Sequence, residues 1–212
     1  MRTHIFAPSQ LLRRLLTTDR GPLESTAAPV LIVPGLRDSG PEHWQSRWQA
    51  RHPSFRRVLQ RDWTSRDLDA WSRTVADAVR AQDAPPIVAA HSFGCLAVVR
   101  AAVIHGADVR AALLVAPPDP DRLGVGPLVP HERLPFPSTL VASTDDPWMK
   151  LVKAGALATA WGSRLVAYRN AGHVNADSGF GDWPDGLRLL HEIESGSRHS
   201  RAKGGTRLAF AT

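Results

Sequence analysis

The sequence predicts an α/β fold, a mostly parallel sheet of about six strands with helices on both faces. Three observations predict it. Short, wholly apolar runs rich in Val, Ile, Leu and Ala recur along the chain, as expected of strands buried on both faces. Longer segments with helical spacing of apolar residues separate these runs. Gly and Pro stand at most of the junctions.

The elements follow in order. "VLIVPG" from Val30 is a first strand, ended by Pro-Gly. "PEHWQSRWQARH" sets Trp44 and Trp48 four apart and predicts a helix beginning after Gly40. "FRRVLQRDW" is a second strand. "LDAWSRTVADAVRAQ" puts Leu68, Trp71, Val75 and Val79 on one helical face. "PPIVAA" is a third strand, and "GCLAVVRAAVIHG" is a helix stopped at Gly106. "RAALLVAPP" and "STLVAST" are strands four and five. Between them Pro117 to Pro137 holds seven prolines in 21 residues, too many for a regular element, and predicts a loop along one edge of the site. "WMKLVKAGALATAWG" is a helix, "SRLVAYRNAG" a sixth strand and "WPDGLRLLHEIE" a closing helix. No repeat and no second domain is evident. Residues 30–196 form the predicted domain, 1–29 an N-terminal extension and 197–212 a basic, disordered tail.

Charge narrows the function classes. The net charge is +6, yet between Val30 and Gly196 there are 18 Lys+Arg and 18 Asp+Glu. The whole excess sits in the two ends, so the domain has no basic surplus for nucleic acid, and solvated tails are the expectation. No stretch approaches the roughly 18 continuous apolar residues of a membrane span. The N-terminal segment is broken by Arg13 and Arg14 and lacks the apolar core of a signal peptide. Cys95 is the single cysteine, which fits a reducing, cytoplasmic compartment and an inert buried thiol.

The chemistry is expected at "AHSFG", residues 90–94, at the seam between the third strand and its helix. Small-x-Ser-x-Gly in that context is the nucleophile-elbow pattern, in which a sharp turn exposes the serine hydroxyl. Ala90 takes the place of the usual first glycine. A serine needs a base, and the base an orienting acid. The rest of the chain supplies both in the order Ser, Asp, His. Asp145 and Asp146 follow the fifth strand, and His173 follows the sixth in a Gly-His turn. All three loops lie at strand carboxyl ends, where open α/β sheets bind ligands. Singly, Ser92 could be a tight-turn residue, Asp146 a helix cap and His173 an ordinary loop histidine; three such coincidences in order favour catalysis.

"VLIVPGLRDSGPEHWQ", "DW" followed by "LDAW", "AHSFGC", "STDDPW" and "GHVNADSGFGDWPDG" together resemble the retinoblastoma-binding protein nine family, the YdeN-like serine hydrolases. The resemblance covers about Val30 to Glu194. It implies an α/β-hydrolase fold with little or no lid, with Ser92 as nucleophile, His173 as base and Asp146, in the acid-Pro-aromatic pattern, as triad acid. The implied reaction is acyl transfer to water on small ester-type substrates, with no metal and no cofactor. A second reading keeps the fold but makes it a protein-binding module with a weak or vestigial triad.

The oxyanion donors expected of such a site are the backbone amides of Phe93 and Leu36. Arg37 and Asp38 either shape the entrance, binding a polar substrate end, or pair with each other. Asp145, Asn175 and Ser178 are expected around the histidine loop, and Trp183 either lines the pocket or belongs to the core. Trp44, Trp63, Trp71 and Trp148 are expected to pack, and His91 to point away from the base and be structural.

Overall fold

The structure, a computed structural model, describes residues 28–204, with side chains through 196. Expectations for residues 1–27 and 205–212 lie outside the described residues. Six strands form one sheet: β1 (Val30–Val33), β2 (Phe55–Arg57), β3 (Ile87–His91), β4 (Ala111–Val115), β5 (Ser138–Ser143) and β6 (Arg164–Tyr168). Their order is β2-β1-β3-β4-β5-β6, and every neighbouring pair is parallel.

Strand pleat sorts the apolar runs between two cores. Leu31, Val33, Val88, Ala90, Ala112, Leu114, Leu140 and Ala142 face one side, packed by α2 (Leu68–Arg80), α3 (Phe93–His105) and α4 (Leu151–Trp161). Ile32, Ile87, Ala89, Leu113, Val115 and Val141 face the other, packed by α1 (Trp44–Arg51) and α5 (Pro184–Gly204). This double burial is why the strands lack the alternation of a half-exposed sheet.

Three element bounds differ from the sequence reading. β2 stops at Arg57, because β1 is four residues long and turns at Pro34; after the bond from Val58 N–H to the Ile32 carbonyl (2.9 Å) the edge strand has nothing left to pair with. Helix α1 begins at Trp44 instead of just after Gly40, since the His43 side chain caps it by accepting from Gln45 N–H (3.2 Å). The last helix continues to Gly204, because Ser195 to Gly204 holds no proline and several good helix formers, so 197–204 extend α5. The proline-rich segment is a loop with one short turn of 3-10 helix, Gly126–Leu128.

The chain runs from β1 outward to β2, then returns across β1 to β3 and proceeds the other way. The loops after β1 and β3 therefore diverge and leave a crevice at the reversal point. Gly94 fixes how closely they approach. A Cβ there would lie 2.4 Å from the Pro34 carbonyl oxygen and 2.6 Å from that of Val33, both backbone atoms that cannot swing aside. Gly94→Ala is expected to destabilise the fold by about 2 kcal/mol or more, as overpacking does. Gly155→Ala, on α4 with only the Leu165 side chain near at 3.9 Å, is expected to be neutral or stabilising. Chemical denaturation of both variants checks the contrast.

Candidate active site

Ser92 sits between β3 and α3 with φ 53° and ψ −128°, a backbone conformation that a non-glycine residue seldom adopts. Its amide is bound to the Val115 carbonyl (2.9 Å), and the Ser92 carbonyl takes the Cys95 N–H (2.9 Å), so the turn is held from both sides. The hydroxyl projects into a cleft of about 580 Å³. Depressions of similar volume along α5 and beside Arg47 contain neither Ser92 nor His173.

The sequence-predicted serine, histidine and acid meet there. Ser92 Oγ lies 2.9 Å from His173 Nε2. His173 Nδ1 lies 2.9 and 3.0 Å from the two oxygens of Asp146, whose side chain is 2% exposed. Asp146 Oδ1 also accepts the Trp148 N–H at 2.8 Å, which fixes the carboxylate's plane. Asp145 turns the other way. Its Oδ1 accepts from the Ser143 hydroxyl (2.6 Å) and from Gly172 N–H (2.8 Å), while Ser143 Oγ accepts Ala171 N–H (2.9 Å). These hydrogen bonds hold the Asp145 carboxyl below the usual carboxylate range. Asp145 thus anchors the strand-to-histidine turn and does not touch the imidazole.

The histidine loop is fastened at further points. Ser178 Oγ accepts His173 N–H (3.2 Å) and donates to Asn175 Oδ1 (2.9 Å). Trp44, fully buried, donates its indole N–H to the Val174 carbonyl (3.0 Å). Across the cleft, Arg122 of the proline-rich loop donates to the Pro147 carbonyl (2.6 Å) and lies 5.7 Å over the Trp148 ring.

Leu36 and Phe93 both line the cleft beside Ser92. Phe93 opens α3, where an amide has no acceptor within its own helix. Among the described residues neither amide donates to a protein acceptor. Both residues thus bring to the cleft a backbone amide without a protein acceptor, and the positive end of α3 lies at Ser92.

Several residues stand elsewhere than the sequence suggests. Trp183 is not among the cleft's lining residues. It stacks on Trp48 (5.8 Å between centroids) and meets Trp44 edge-on (5.1 Å), inside the layer between α1 and α5. Trp148, expected to pack, is 46% exposed and lines the cleft 6.5 Å from the His173 ring. Asp38 pairs with Arg57, not with Arg37. Both Arg37 (φ 68°) and Asp38 (φ 61°) have left-handed backbones, and Arg37 N–H is tied to the Trp63 carbonyl (2.8 Å). Arg37 itself is exposed on the cleft wall.

The histidines form a group that the sequence does not reveal. His91 does not point away: its Nε2 donates to the His173 carbonyl (3.0 Å), and its ring meets that of His173 edge-on at 4.9 Å. His43, 48 residues earlier, packs on His91 at 4.7 Å. Burial first, then the Arg57 charge, lowers His43 to about 3; burial first, then the neighbouring histidines, lowers His91 well below the usual value. Both stay neutral, so neither adds charge beside His173. Cys95 is buried with its thiol pushed up, and donates weakly to the Val115 carbonyl (3.3 Å). Among the described residues no cluster of His, Cys, Asp or Glu could hold a metal, and no helix is long and apolar enough to cross a membrane.

A hydroxyl, an imidazole and a carboxylate in this chain can generate a serine nucleophile, and two free amides can hold an oxyanion. Comparison with known proteins points the same way. The sequence matches the profile of the serine hydrolase family over residues 30–192. A YdeN-like hydrolase from Pectobacterium atrosepticum is 37% identical, with a TM-score of 0.78 over 81% of this chain and 92% of that one. The ydeN product of Bacillus subtilis is 19% identical, with a TM-score of 0.66 over 78% and 98% of the two chains. A carboxylesterase from Bacillus subtilis, 14% identical with a TM-score of 0.56 over 80% and 84%, shares the α/β-hydrolase fold. No curated protein matches the sequence. The chain belongs to the serine hydrolase family, as a YdeN-like member of the α/β-hydrolase superfamily.

Proposed function

We propose that the protein is a carboxylesterase-like enzyme that cleaves small acyl esters through a Ser92–His173–Asp146 triad and an acyl-enzyme intermediate. The observation that carries this reading is the 2.9 Å contact between Ser92 Oγ and His173 Nε2, on an imidazole held from behind by Asp146. His173 Nε2 takes the hydroxyl proton as Ser92 Oγ bonds to the substrate carbonyl carbon. The Leu36 and Phe93 amides hold the oxygen that becomes negative. His173 then protonates the departing alkoxide, and the carbonyl re-forms as the Ser92 ester. A water activated by the same imidazole hydrolyses that ester and restores the free serine. Asp146 keeps the proton of the resting imidazole on Nδ1 throughout. The mechanism requires no metal or cofactor. The lone, buried Cys95 suits a reducing cytoplasm, and a small acyl compound is the partner that the cleft would take.

Among the described residues the cleft has no helical cover, since the segment between β4 and β5 is a loop with one short 3-10 turn. A shallow site of this kind gains little from a long chain. Butyrate (C4) nitrophenyl esters are therefore expected to show higher kcat/KM than laurate (C12) esters, and a preference for laurate would reject this substrate size. The triad itself is tested by a fluorophosphonate probe followed by peptide mapping. Labelling at Ser92 is expected; folded protein that takes no label and cleaves no ester is a binding module instead.

A further inference from the structure

The charged residues that line the cleft are not evenly paired. Arg37, from the loop after β1, and Arg66, from the loop before α2, are both exposed on the cleft. Among the described residues neither side chain has an ion-pair or hydrogen-bond partner. Arg47, Arg57, Arg100, Arg164 and Arg188 are each tied to a carboxylate, whereas Arg61, Arg133 and Arg169 share this unpaired state among the described residues but do not line the cleft. The carboxylate next to Arg37, Asp38, is already neutralised by Arg57, whose guanidinium is also held by the Ser46 hydroxyl (2.7 Å) and the Ser39 carbonyl (3.2 Å). His43 and His91, which line the same cleft, are neutral. The remaining charged group among the lining residues is Asp177, exposed in the 3-10 turn that follows His173.

Among the described residues, two guanidinium groups without a carboxylate partner thus line the cleft; of its two carboxylates, Asp38 is paired with Arg57 and Asp177 is not paired. A neutral ester leaves those guanidinium groups unused. An ester bearing a carboxylate or phosphate would be drawn to the two arginines and repelled by Asp177. Arg37 adjoins Leu36, the oxyanion donor of the reading above, so the anion would bind within a short molecule's length of the ester carbonyl. Trp148 and Leu123 supply apolar contact for the uncharged remainder.

We propose that Arg37 and Arg66 form an anion-recognition wall that makes small, negatively charged esters the preferred substrate class of this cleft. The proposal rests on the hydrolase reading above, and its test separates the two. Wild-type protein is assayed on two matched pairs of esters: 4-nitrophenyl hemisuccinate against 4-nitrophenyl butyrate, and 4-carboxyphenyl against 4-carbamoylphenyl butyrate. Rates are corrected for each ester's hydroxide reactivity. The anionic member of at least one pair is expected to have the higher kcat/KM. In Arg37→Gln/Arg66→Gln that ratio is expected to fall at least about fivefold, the scale of losing two partly exposed charge contacts. Added salt should lower the wild-type ratio by screening. Arg66→Glu should reduce it further than Arg66→Gln.

A binding arm uses Ser92→Ala protein titrated with glutarate, where the double arginine substitution is expected to weaken binding by a similar factor. The proposal is overturned if neither pair shows an arginine-dependent preference, or if glutarate binding is indifferent to both arginines. Arginine-dependent glutarate binding by a protein that takes no fluorophosphonate label and cleaves no ester would keep the anion wall and remove the hydrolase reading.

Discussion

Ser92→Ala is expected to abolish nearly all ester turnover, by at least about 10⁴-fold, while the fold stands. The substitution removes one oxygen, and with it the only atom placed to bond the substrate carbonyl carbon. What survives is the rate that the Leu36 and Phe93 amides and substrate binding give to water. The structural cost is small because the hydroxyl's protein partner is the His173 ring, at 2.9 Å across an open cleft, while the Ser92 amide and carbonyl carry the turn through Val115 and Cys95. Stability should change by about 1 kcal/mol or less, and can rise, since sites of this kind trade stability for function. Ser92→Ala combined with His173→Ala should be hardly slower than either alone, because a base without its nucleophile has nothing to activate. Active-site titration and initial rates on a butyrate ester check this. Full turnover in Ser92→Ala on every ester the wild type cleaves would remove Ser92 from the mechanism.

Asp146→Asn is expected to lower kcat by about 10³ to 10⁴. Both Asp146 oxygens lie within 3.0 Å of His173 Nδ1, and the carboxylate is almost fully buried. An ionised carboxylate accepts only, so it keeps the proton on Nδ1 and leaves the Nε2 lone pair free for Ser92. An amide can present N–H to Nδ1 instead. The imidazole proton then moves to Nε2, where it blocks proton transfer from the hydroxyl. Asp145→Asn is expected to cost little, because an amide oxygen can still accept from Gly172 N–H and the Ser143 hydroxyl. The two substitutions differ by one position and should differ in rate by at least about two orders of magnitude. Pre-steady-state acylation kinetics on both proteins provides the comparison, and a reversed order would make Asp145 the triad acid.

The elements were legible because their signals are local. A strand buried on both faces is mostly apolar, so β1, β4 and the central parts of β3 and β5 stand out as short runs bounded by Gly, Pro or polar residues. The convergence of Ser92, Asp146 and His173 was legible for a related reason. In a parallel sheet each loop after a strand opens at the same edge, so a serine, an acid and a histidine placed after successive strands must share one rim. The steric needs of the turn around Ser92 made its small neighbours readable too.

Other features depend on contacts between distant segments. Trp148 and Trp183 are the same residue type, each next to a proline between a strand and a helix, yet one lies at the cleft and the other between α1 and α5. Only the packing of Trp44, Trp48 and Trp183 separates them. The partner of Asp38 is Arg57, not its neighbour Arg37, because β2 lies beside β1 and brings a residue 19 positions away within reach. The contacts from His43 to His91 and from His91 to His173 span three loops. By itself the sequence determined the strands and helices, the Ser92 turn and the order of the reacting groups, since pleat, helical period and turn sterics act within a few residues. The acid-Pro-aromatic pattern already favoured Asp146, but tertiary structure alone decided what holds Asp145, which tryptophan lines the cleft and which of the described arginines keep no counter-ion, because those outcomes depend on side chains that converge only when the sheet is assembled.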